Sequence, residues 1–186
     1  ASSSSYAQSS FTTASSTCVD SYENNNTRAE AKTIATGVGI SATISHSGDE
    51  DWFAFTSGKG KSANLRITLD GLPVNLDLYF YNSTGQLIGT STNGGTNPEQ
   101  IVFNNAATNT TYFVRAEGTC NTTTCASQAV TVNTLSTAPT SITGTSTICA
   151  GGSTTLTVSG GSLGTGGVWR WYSGSCGGTL VGTGTS

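Results

Sequence analysis

The residues best suited to chemistry fall in two oxygen-rich stretches. DSYENNNT (20–27) holds Asp20, Glu23, Asn25 and Asn26, and SGDED (47–51) holds Asp49, Glu50 and Asp51. Carboxylates and amides at this density suit a hard cation such as calcium, which takes about six to eight oxygen ligands. The same residue types also build turns, because Asp and Asn side chains bond nearby backbone amides. Catalysis is the poorer reading. His46 is the only histidine, it stands beside a turn in ATISHSGDED, and the stretch around it holds no nucleophile motif. A glycosidase pair would need one carboxyl with a raised pKa, and nothing in the sequence marks one. No catalytic residue is expected, and the chain is not read as an enzyme.

Five cysteines and no methionine point to an oxidising, extracytoplasmic compartment. Cys18, Cys120, Cys125, Cys149 and Cys176 do not fit a zinc pattern, since only Cys120 and Cys125 are close and no histidine follows. Cys120 and Cys125 flank NTTT, a loop short enough to close as a hairpin bridge. An edge strand at Cys18 would instead bring that residue to Cys120 or Cys125. The Cys120–Cys125 pairing is preferred by a small margin.

These stretches must be held by strands. Charged residues are only 9%, and Ser plus Thr number 60 of 186, so the polar surface is mostly hydroxyl and amide. Such a composition leans toward disorder, but the apolar residues sit in short period-two runs that disorder does not need. ISATIS (40–45), DWFAF (51–55), NLRITLD (64–70), NLDLYFYN (75–82), QLIGTS (86–91), EQIVFN (99–104), TTYFVRAEG (110–118) and QAVTVNTL (128–135) read as strands. SGDED, SGKGK, DGLP, NSTG and NGGTNP are the turns between them. Strands at that spacing predict an all-β sandwich or barrel. Residues 28–35 allow a short helical turn. Alternation puts Asp77, Tyr79 and Tyr81 on one face and Leu76, Leu78 and Phe80 on the other. Tyr79, Tyr81, Tyr112 and Trp52 are candidates for a sugar- or peptide-binding face, although cross-strand packing is the commoner use of such aromatics; the ligand is unknown.

Four units are expected. Residues 1–17 form a Ser/Thr-rich tail or strand, 18–135 a sandwich, 136–142 a linker, and 143–186 an incomplete second β unit. The last has about four strand-like segments, with Leu156, Val158, Trp169 and Trp171 ready to face another sheet. It is too short to bury a core alone. Either the chain continues past Ser186 or another copy supplies the missing strands.

A net charge of -3 without any Lys/Arg cluster argues against nucleic acid. No apolar run approaches the roughly 20 residues of a membrane span.

DSYENNNT, GDEDWFAF (48–55), ITLDGLPVNLDLYFYNSTG (67–85), PEQIVF (98–103) and TYFVRAEG (111–118) together resemble the bacterial pre-peptidase C-terminal domain. That family's opening D-x-Y-E-P-N-D has Asn24 and Asn26 in place of Pro and Asp here. The resemblance, over 19–118, implies a jelly-roll-like β-sandwich that serves as a non-catalytic appendage of secreted peptidases and surface proteins. It also implies calcium as a cofactor. In the related collagen-binding sandwiches an E-x-N-D turn and a D-x-D turn hold calcium, which transfers to Glu23, Asn25, Asn26, Asp49 and Asp51. Asn26 in place of Asp removes one anionic ligand.

TICAGGSTTLTVSGG, WRWYSGSCGGT and VGTGTS resemble the Ig-like repeats of large Bacteroidota surface and secreted proteins. TYFVRAEGTCNTTTCASQAVTVN (111–133) is similar to the closing segment of such repeats. This implies an extracellular or cell-surface location, often through type IX export. The function so implied is a non-catalytic module of a surface adhesin or fibre, acting in binding or assembly. Its partners would be other copies, other surface proteins, polysaccharide or extracellular matrix. The alternative is an accessory domain of a secreted peptidase or other hydrolase.

Overall fold

The computed structural model describes residues 18–58, 63–118, 125–145, 147–175 and 177–186. The expected tail or strand at 1–17 lies outside the described residues, as does Cys120. A single 3-10 turn, Arg28–Glu30, precedes the strands β1 (Lys32–Thr33), β2 (Ile40–Ile44), β3 (Glu50–Thr56), β4 (Ala63–Asp70) and β5 (Leu76–Tyr81). β6 (Leu87–Ser91), β7 (Glu99–Ala106), β8 (Thr111–Gly118) and β9 (Ala126–Leu135) complete the first unit.

Two sheets face one another. One has the order β1-β3-β8-β5-β6 and the other β2-β9-β4-β7. Every pairing is antiparallel except β1 with β3, which is parallel through Lys32–Phe53 and Thr33–Ala54. The order follows no simple hairpin sequence, so the chain crosses repeatedly between sheets, as a jelly roll does.

The expected alternation places the core. Leu65, Ile67 and Leu69 of β4 point inward with Leu76, Leu78 and Phe80 of β5, all fully buried. Phe53 and Phe55 of β3, Val114 of β8, and Val130 and Val132 of β9 join them. Phe80 lies at the aromatic centre, with ring centroids 5.3 Å from Phe103, 5.4 Å from Tyr112 and 6.2 Å from Phe55. Offset and edge contacts of this kind add to the area each ring buries.

The second unit is built differently. β10 (Ser141–Thr143) pairs with β11 (Thr157–Ser159), and β12 (Arg170–Ser173) with β13 (Thr179–Thr183), each pair a separate two-stranded sheet. These strands are much shorter than the runs 141–152, 153–161 and 167–174 suggested. Beyond Val132 no described residue is buried. The strands lack a facing layer that would reward their extension.

The two units meet through a short hydrogen-bonded joint. Thr165 donates its N–H to the Thr134 carbonyl at 2.9 Å, and Thr134 N–H donates to Thr165 Oγ1 at 3.0 Å. Gly164 lies against the backbone there, where a Cβ would stand only 2.2 Å from the Thr134 carbonyl oxygen.

Phe80→Ala is expected to cost about 3–5 kcal/mol, as large-to-small core changes do. Val102→Ala, at a half-exposed position on β7, should stay within about 0.5 kcal/mol. Urea denaturation of the two variants beside the parent checks both values.

Candidate metal centre

β2 ends in one sheet and β3 begins in the other, so the turn between them crosses the edge of the sandwich. Asp49 fastens that turn. Ser45 donates to Asp49 Oδ2 from its N–H at 2.6 Å and from its hydroxyl at 2.7 Å, and Asp49 N–H donates to the His46 carbonyl at 3.2 Å. Gly48, with φ +85°, allows the reversal. Turn chemistry thus occupies one oxygen of Asp49 and leaves Oδ1 to the interior.

Two residues on, Asp51 shares the inward series of Phe53 and Phe55 and is fully buried. Its Oδ2 accepts from Gln128 Nε2 of β9, in the opposite sheet. Its Oδ1 has no hydrogen-bond partner.

The segment 20–26 brings the remaining oxygens. Tyr22 packs edge-on against Phe53, with centroids 5.7 Å apart, and the Asn25 carbonyl accepts from Trp52 N–H at 2.9 Å. These contacts aim Glu23, Asn25 and Asn26 at the turn. Asn25 is fully buried.

Carboxylate oxygens of Glu23, Asp49 and Asp51 all lie within 4.8 Å of one another. Asn25 Oδ1, Glu23 Oε1, Asp20 Oδ2 and Asp51 Oδ1 are buried without a hydrogen-bond partner. With its nitrogen turned toward them, Asn26 donates to Asp49 Oδ1 at 2.6 Å and to the Glu50 carbonyl at 3.2 Å. Turned the other way it presents oxygen to oxygen, which only a cation among them would favour.

The electrostatics agree. Burial, and after it the charge of Asp49, pushes the Asp51 carboxyl up to about 8. The same two causes hold Glu23 above its ordinary value. Orphaned oxygens and mutual repulsion are both costs that one divalent cation removes. The donor set, all carboxylate and amide oxygen, is the kind calcium takes. Glu23, Asn25, Asn26, Asp49 and Asp51, the set implied by resemblance, all converge here. Asp20 joins them as a neighbour.

Other expectations fare differently. Glu50 leaves the cluster: its Oε1 pairs with Arg115 at 2.9 Å and its Oε2 accepts from Trp52 Nε1 at 2.8 Å. Trp52 is buried between Tyr81, at a centroid distance of 4.9 Å, and the Arg115 guanidinium, at 5.6 Å. Tyr112 belongs to the core, its hydroxyl accepting from Ala107 N–H at 2.9 Å. Of the four aromatics suggested for a binding face, only Tyr79 and Tyr81 remain half-exposed on the outer side, and Arg115 lies 4.4 Å from the Tyr79 ring. His46 is exposed, and its Nδ1 meets the Ser47 carbonyl at 3.1 Å. Asp51 has a raised pKa but is shut off from any substrate oxygen, so it does not supply the acid a glycosidase needs.

The disulfide preference is corrected. Cys125 pairs with Cys18, with Cα atoms 5.4 Å apart, and therefore not with Cys120. This is the less favoured alternative, a Cys18 bridge to Cys125, and it closes 107 residues although Cys18 itself lies in no strand. Gln128 was also missed as a participant. Its signal was present: a polar amide in the inward series Ala126, Gln128, Val130, Val132.

Residues 49–118 match the family described as bacterial pre-peptidase C-terminal domain, and residues 137–186 match the Ig-like domain described as CHU_C associated. Both are accessory modules rather than catalytic domains. No curated protein matches the chain. Among solved structures, the chain is similar to the pre-peptidase C-terminal domain of a collagenase from Bacillus anthracis. That match has 13% identity and a TM-score of 0.45, and covers 55% of this chain and 93% of the other.

Calcium at about a hundred times its dissociation constant would stabilise the folded state by about 2.7 kcal/mol. Chelator is therefore expected to lower the melting temperature by several degrees, and millimolar calcium to restore it. The double variant Glu23→Gln/Asp49→Asn should lose most of that response. Identical melting in EDTA and in calcium would remove the metal from the account.

Proposed function

We propose that this chain is a non-catalytic, calcium-stabilised extracellular module of a bacterial surface adhesin or surface fibre, acting in binding and assembly. One observation carries the reading: the contrast between the two units. The first has a complete core, while the second exposes Ile142, Leu163, Val168, Tyr172, Leu180 and Val181. A groove of about 360 Å³ there is lined by residues including Leu156, Trp171 and Val181. Apolar surface of this kind is costly in water and fits packing against further polypeptide. Two-stranded sheets also offer unpaired edges to a neighbouring strand. Other copies of the chain or other surface proteins are the partners this suits best, with polysaccharide or extracellular matrix as the more distant target.

A cell-surface or secreted location agrees with the Cys18–Cys125 bridge, which needs an oxidising compartment. No helix among the described residues is long and apolar enough to cross a membrane. The second reading, an accessory domain of a secreted peptidase or other hydrolase, is favoured by the family matched over 49–118. The two differ in what the exposed faces of the second unit meet.

Sedimentation velocity over a hundredfold range of concentration separates them. Assembly predicts species heavier than 18.8 kDa that grow with concentration and are lost in Leu180→Lys/Val181→Lys. Monomers at every concentration, with the groove still open, would end the self-assembly reading and leave the hydrolase accessory.

A further inference from the structure

The oxygen cluster is assembled from parts that are far apart in the chain, and one of them lies outside the strands, held by Tyr22 and Asn25. Asp49 and Asp51 sit on a turn and a central strand, fixed by Ser45 and by β-pairing to β8. Residues 18–26 belong to no strand or helix. They carry Asp20, Glu23, Asn25 and Asn26, and no cation-bearing side chain lies among them to offset the carboxylates opposite. Repulsion between Glu23 and Asp49 pushes this segment outward. The Cys18–Cys125 bridge opposes that movement. Cys18 is two residues ahead of Asp20, and Cys125 is three ahead of Gln128, which holds Asp51 from the opposite sheet. Bridge and Gln128 thus anchor both halves of the cluster to the same end of β9.

We propose that the Cys18–Cys125 disulfide is a positioning element for the cation site, so that closing the bridge and filling the site favour each other and the redox state of this pair sets calcium affinity. The inference rests on the calcium reading above. With the bridge closed, segment 18–26 is presented already folded back, and cation binding need not order it. With the bridge open, the same segment is held by its Tyr22 and Asn25 contacts alone and loses more conformational freedom when the cation arrives. Linkage then requires the effect in both directions by one factor: calcium must protect the bridge as much as the bridge favours calcium. Cys125 is exposed and Cys18 half-exposed, so a reductant in solution reaches the sulfurs. In the reductive step a dithiol supplies two electrons and two protons and closes to its own cyclic disulfide. The sulfur–sulfur bond breaks and leaves thiols on Cys18 and Cys125.

The test uses the whole chain. Non-reducing peptide mapping should find Cys18 joined to Cys125; a Cys120–Cys125 peptide in its place overturns the proposal. Calorimetric titration with calcium chloride is then run on the oxidised protein and on Cys18→Ser/Cys125→Ser, which leaves the other cysteines untouched. Affinity should fall by between about fivefold and a hundredfold in the variant. In parallel, the unaltered protein is reduced with a dithiol, with and without calcium, and the release of the two thiols is followed. Calcium should shift the equilibrium midpoint of that reduction by a similar factor, a readout that does not depend on the variant folding. Calcium binding of equal strength in both forms, with no protection, removes the coupling and leaves the metal site standing. Absence of calcium binding by the oxidised protein removes both.

Discussion

Burying like charges at the edge of an apolar core is the constraint on which this structure turns. Asp51 occupies a position that the period-two pattern of β3 assigns to the interior, beside Phe53 and Phe55. A hydrophobic side chain there would simply extend the core. A carboxylate needs partners, and the fold supplies one in Gln128 and then crowds Glu23 and Asp49 against it. Such a site is unfavourable by itself. Its retention makes sense if the charge is neutralised from outside the chain. The surrounding features follow from this need: Tyr22 against Phe53, the Asn25 carbonyl on Trp52 N–H, and the serine clasp on Asp49 all serve to keep oxygens pointed at one place.

The opposite face of the same sheet is balanced by other means. Arg115 stands among Glu50, Glu117, Trp52, Tyr79 and Tyr81, pairing with both carboxylates and lying over the rings. One cation there satisfies what the inner cluster leaves open. The two sides of β3 thus carry acidic residues one position apart with opposite solutions. Glu50 points out to a guanidinium, while Asp49 and Asp51 point toward a site without any basic side chain among the described residues that form it.

Much of the sandwich was legible because side-chain alternation is a local signal. NLRITLD and NLDLYFYN display their buried faces directly, and the burial patterns of β4 and β5 repeat them residue for residue. The pairing of Lys32–Thr33 with β3 was not legible, since two residues carry no period. Sheet order was also hidden, because it depends on which strands cross between layers. In the site, the acidic turns announced themselves by composition. Gln128 showed only as a polar residue in the inward series of β9, and the Cys18 bridge only as the less favoured pairing, because the meaning of each appears only when β9 lies next to β2 and β4. Trp52 shows a further limit: alternation correctly turned it away from the core, yet Arg115 and Tyr81 cover it on the outer face. In the second unit the strand pattern overstated the strands, for alternation marks what a residue would bury and not whether a facing layer is there.

The sulfur bridge also decides how the chain carries tension. A pull on the polypeptide ahead of Cys18 does not run through the sandwich. It crosses to Cys125 and continues along β9 toward residues 137–186. Strands β1 to β8 hang beside this path as a loop and bear no load. β9 alone stands in line, and it lies between β2 and β4 with hydrogen bonds on both flanks. Force along the molecule is therefore met by one covalent link followed by the already extended backbone of one central strand, and the acidic cluster is spared.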